Sequence, residues 1–60
     1  MNRYRVVVEL YKSPKDVEER AVFVEAGNKK LAVIRALDEL RKDAALNEVF
    51  KKARSVEFSK

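Results

Sequence analysis

Ten carboxylates, fourteen Lys and Arg side chains and no histidine or cysteine set the chemistry open to this 60-residue chain. Without imidazole or thiolate, zinc fingers, disulfides, thiol nucleophiles and imidazole acid–base catalysis are excluded. Paired carboxylates, an activated serine or a lysine held in a pocket are what remains for catalysis. Asp38 and Glu39 are expected on the polar side of a helix, Glu18 and Glu19 near the end of a hairpin, and Ser13, Ser55 and Ser59 in a turn or at a strand edge. No two of these sets converge, and a two-layer fold of this size encloses a pocket poorly, so the chain reads as non-catalytic. A lone Gly27 makes no glycine-rich phosphate loop, and no run of acids has calcium-loop spacing, so neither cofactor nor metal is expected.

Residues able to bind are more informative. Lys29 and Lys30 follow Gly27-Asn28 at the expected start of a helix, where the dipole and free amides disfavour cations by about 0.3–1 kcal/mol. Two ammonium groups beside open backbone donors make a candidate anion or phosphate site with Asn28; the plainer reading is two solvated lysines. A second basic cluster, Lys51-Lys52-Ala53-Arg54, falls near the expected end of a short helix, where cations are favoured without any partner. The third signal is aromatic. If even-numbered side chains of the first two strands pack under the helix, then Val7, Tyr11, Ala21 and Phe23 face away from it, beside Arg3 and Arg5. An apolar patch rimmed by arginines suits a protein contact or a homodimer face, and the same surface could stack unpaired bases.

These readings depend on the elements that carry the side chains. Residues 3–11 are rich in β-branched and aromatic types with Tyr4, Val6, Val8 and Leu10 on one face, which predicts a strand. Pro14, within Lys12–Asp16, turns the chain, and residues 17–26 alternate as a second, antiparallel strand. Gly27 is expected to supply an unusual backbone angle and Asn28 an N-cap. A helix from about Lys29 to residue 42 carries an apolar stripe of Leu31, Val33, Ile34, Leu37 and Leu40 with Ala32, Ala36 and Ala44. Leu46, Val49, Phe50 and Ala53 continue at helical spacing but one position out of phase, so a break near 43–47 and a short second helix, capped by Asp43 and braced by Glu48 and Lys52, are expected. Residues 55–59 alternate again as a third strand.

A right-handed crossover makes strands two and three parallel, and strand one fits between them, so the expected fold is a two-layer α+β ββα(α)β domain over residues 1–60, with a three-stranded antiparallel sheet in order 2-1-3. Sixty residues bury only roughly 60% of their unfolded surface, so packing alone must stabilise a thin core. The net charge of +4 is uneven: residues 1–15 carry +3, residues 16–28 carry −3 and residues 29–60 carry +4. Strand two is therefore acidic, and a uniformly basic surface is ruled out. No apolar run approaches the roughly 20 residues of a membrane helix, and the N-terminus leads straight into a strand, so a cytoplasmic chain without membrane contact is expected.

The strand–strand–helix–strand order, with Val24-x-Ala26 before the helix and Ala32-x-x-x-Ala36 within it, resembles many small α+β units, including archaeal ribosomal-protein modules and compact accessory proteins of phages. The likeness spans the chain as a pattern and brings no family motif with it. The functional expectation is a small non-catalytic binding module. It would act on a protein partner or a second copy through its open sheet face and edges, as an accessory or inhibitory protein of a mobile element would. The alternative is a basic nucleic-acid-binding domain using Arg3, Arg5, Lys29, Lys30, Lys51, Lys52 and Arg54, with DNA or RNA as partner.

Overall fold

Residues 1–59 are described by a computed structural model. Strand β1 (Asn2–Ser13) and strand β2 (Asp16–Ala26) form a long hairpin, helix α1 (Lys29–Arg41) follows, and strand β3 (Phe50–Ser59) is the last of the described elements. The sheet order is β2-β1-β3, with β1 antiparallel to both neighbours. This is the expected α+β architecture, and the parity of the first two strands is as the alternation requires. Tyr4, Val6, Val8 and Leu10 are buried under the helical layer, whereas Arg5, Val7, Glu9 and Tyr11 are only partly buried on the opposite face.

The core is small. Leu10, Val6 and Val8 are its largest fully buried side chains, each contributing about 1.5–3 kcal/mol by leaving water, and Tyr4, Val24, Ala26, Ala32, Ala36, Leu40 and Leu46 complete the cluster. Alanines at 32 and 36 let the helix backbone lie close on the sheet. The apolar stripe is wider than that seam, so Leu31 and Ile34 are not core residues as the stripe implied: they are 43% and 48% exposed on the solvent side of α1. The helix starts where expected, with the Asn28 side-chain oxygen accepting the Leu31 amide at 2.9 Å.

Three sequence expectations are corrected. Gly27 has no positive φ, and a Cβ there would meet only Leu31 Cδ1 at 3.9 Å, so no special backbone angle holds the glycine in place. The short second helix is replaced by consecutive turns, in which the Leu46 amide donates to Asp43 O at 2.9 Å and the Val49 amide to Leu46 O at 3.2 Å. Asp43 caps a turn, accepting the Ala45 amide at 3.0 Å, and Lys51 Nζ ties the segment down by donating to Val49 O at 2.8 Å and Asn47 O at 3.3 Å. Finally, β3 begins at Phe50 rather than near residue 55. Glu48 and Lys52 therefore do not share a helix, and Lys51, Lys52 and Arg54 lie along a strand, not at a helix C-terminus.

The register explains the misreading. Val7 is opposite Ser55 but Val8 is opposite Ala53, so Arg54 is the extra residue of a β-bulge. The bulge reverses the parity of β3: Lys51 and Ala53 face the helical side before it, Val56 and Phe58 after it. Ala53 and Val56, three apart, thus share a face, a spacing that imitates a helix.

Candidate interaction surface

The outer face of the sheet, turned away from α1, is built from rows of directly opposed residues. From one end to the other they are Glu25–Arg3–Ser59, Phe23–Arg5–Glu57, Ala21–Val7–Ser55, Glu19–Glu9–Lys52 and Val17–Tyr11–Phe50. The expected patch residues Val7, Tyr11, Ala21 and Phe23 are all on this face with Arg3 and Arg5. Phe23 is 54% exposed, and the Arg3 guanidinium carbon lies 5.7 Å from its ring centre.

Two residues enlarge the patch beyond the sequence reading. Val17, 44% exposed, is at the far end of β2, where its odd parity was signal enough to find it. Phe50, 66% exposed, packs its ring 5.5 Å from that of Tyr11. Nothing local announced Phe50, because its apolar neighbours read as a helix until the bulge is known. Tyr11 Oη donates to Glu9 Oε1 at 3.1 Å, and this bond, with smaller contributions from desolvation and the Glu9 charge, pushes the phenol pKa above its ordinary value.

Charge on this face is balanced. Arg3, Arg5, Lys52 and Arg54 stand against Glu9, Glu19, Glu25 and Glu57. Arg54, released from the ladder by the bulge, reaches across β1 and donates to both carboxylate oxygens of Glu19 on β2. Arg54 lines a shallow depression with Arg5, Val7 and Ala21.

The remaining candidate anion residues lie elsewhere. Lys29 and Lys30 are exposed on the first turn of α1, with no acid in that turn, and Asn28 is occupied as the N-cap. Lys51 is on the helical side of β3, holding loop carbonyls. The basic residues are thus split between the two layers, and those on the sheet alternate with acids. Of the carboxylates weighed for catalysis, Asp38 pairs with Arg41 and Glu39 with Lys42, each at 3.2 Å on the exposed helix, while Glu18 is 3.3 Å from Lys12 and 3.4 Å from Arg20. No group of three or more acids among the described residues is placed to hold a metal, and no described helix is long and apolar enough to cross a membrane.

Fold and surface together define a small α+β domain with one sheet face left open. No known family, curated protein or solved structure matches the chain.

Proposed function

We propose that this chain is a non-catalytic binding module that works by protein–protein contact through the outer face of its sheet. The observation that carries this reading is the composition of the face. Phe23, Phe50 and Val17 are exposed, Tyr11 and Val7 lie between them, and charges of both signs are interspersed in equal number. Aromatic anchors with arginines around them are the residue types that dominate protein contacts. A polyanion requires a surface of one sign, because its affinity comes from neutralising phosphates. Here every row that holds a base also holds an acid, and Glu19 already occupies Arg54.

The test compares the wild-type chain with the double variant Phe23→Ser/Phe50→Ser and with a helix-surface control, Lys30→Ser. Expected is loss of self-association and of captured proteins in the double variant, with both retained in the control. An unchanged set of contacts in the double variant overturns the reading. So does binding of single-stranded oligonucleotides at low salt with a log–log salt slope of roughly −0.7 per phosphate contacted.

A further inference from the structure

Resting on the reading of the outer face as a protein contact, we propose that its occupant is a second copy of this chain. The copy lies antiparallel on the sheet about a two-fold axis that passes through the Val7–Ser55 row, perpendicular to β1 in the plane between the two sheets. Such an isologous interface needs a surface complementary to itself after the ends of the strands are exchanged. The charges have that property. Along the outward positions of β1 the order is Arg3, Arg5, Val7, Glu9, Tyr11, basic on one side of Val7 and acidic on the other. Along β3 the order opposite them is Ser59, Glu57, Ser55, Lys52, Phe50, acidic on the first side and basic on the second.

Rotation about the axis stacks β1 on β1 and β3 on β3 with their directions reversed. Arg5 then meets Glu9 of the second copy, Lys52 meets its Glu57, and both contacts occur twice. Arg3 comes over the copy's Tyr11, a guanidinium on an aromatic face. Phe23 comes over the copy's Arg54–Glu19 pair. The small residues Ala21 and Ser55 flank Val7 at the axis and allow close approach.

Within a single chain the charged groups of the two inter-copy ion pairs are free to make these contacts, while Arg3 would exchange the Phe23 ring of its own chain for the copy's Tyr11. Among the described residues Arg5, Lys52 and Glu57 enter no ion pair, and Glu9 accepts only the Tyr11 hydroxyl. Area is sufficient too. Three strands about 4.8 Å apart over the 35 Å long axis project about 500 Å² per copy, and side-chain relief brings a face-to-face pair near the lower end of stable interfaces, about 1,200 Å² in total.

The experiment measures mass by sedimentation for the wild type, Arg5→Glu, Glu9→Arg and an equimolar mixture of the two variants, with circular dichroism confirming the fold of each. Expected is a wild-type dimer whose Kd rises on the order of tenfold to a hundredfold in either variant alone, since each reversal sets like charges against each other twice. The mixture regains a heterodimer, because each reversed side chain then meets its opposite. A wild type that stays monomeric up to about millimolar concentration overturns the second copy as occupant, and leaves the wider reading to the capture assay above. A dimer indifferent to both reversals, or a mixture of folded variants that stays monomeric, overturns the two-fold arrangement. Should either variant fail to fold, Lys52→Glu and Glu57→Lys put the same question to β3, with the same outcomes decisive.

Discussion

The Tyr11 and Phe50 rings pack 5.5 Å apart at 60° on the outer face, joining the far end of the central strand to the first residue of the edge strand. Among the described residues Phe23 enters no aromatic pair; the Arg3 guanidinium lies beside its ring. An aromatic pair contributes about 0.5–1.5 kcal/mol beyond area and an exposed cation–π contact about 0.5–1 kcal/mol. Phe50→Ala is expected to destabilise the folded chain more than Phe23→Ala, and urea unfolding at a concentration low enough to keep the chain monomeric checks the order. Equal costs would show that the Tyr11 contact is worth no more than the Arg3 contact.

Gly27 adopts backbone angles open to any residue, and the space at its Cβ is bounded only by a side-chain methyl. Replacing it by alanine restricts the unfolded chain while straining nothing in the folded one. Gly27→Ala should therefore raise stability by about 0.4–1 kcal/mol, seen as a higher midpoint of thermal unfolding. A lower midpoint would mean that the β2–α1 junction needs glycine after all.

Leu46 lies outside every helix and strand yet is only 5% exposed, in one cluster with Leu10 and Leu40. Leu46→Ala is expected to cost about 2–5 kcal/mol. That is a large share of the roughly 3–9 kcal/mol available to 60 residues. Leu31→Ala, on the exposed helix surface, should cost under about 1 kcal/mol. Denaturant midpoints of the two variants test whether the 42–49 segment seals the core.

The Tyr11 phenol titrates above its ordinary value because the neutral hydroxyl donates to Glu9. The folded chain thus keeps a proton that the unfolded chain loses near pH 10. The contribution to stability is complete below that pH and is lost as pH rises through the folded-state value. Glu9→Gln removes the carboxylate acceptor and its charge, so phenolate absorbance should appear at lower pH than in the wild type. An unmoved titration would show that Glu9 does not hold the proton.

Much of this molecule is legible without coordinates. Period-two alternation from Tyr4 to Leu10 and from Val22 to Ala26 determines which side chains turn inward, because a strand offers only two faces. Asn28 marks the helix start through its own side chain, and the crossover between parallel strands leaves one place for β1. Those are local or topological constraints. What tertiary structure alone decided is the stretch from Asp43 to Ser55. Leu46, Val49, Phe50 and Ala53 carry helical spacing, yet the long free edge of β1 offers backbone partners to Phe50 and its successors, and the bulge at Arg54 reconciles the two halves of β3 with one core. The same step carried Phe50 onto the outer face beside Tyr11 and let Arg54 reach Glu19. It also selected Ala32 and Ala36 from a broad apolar stripe, leaving Leu31 and Ile34 in water. The physical reason is common to all three. A periodic pattern names the faces a segment could bury, and only the neighbouring segments determine which of them is covered.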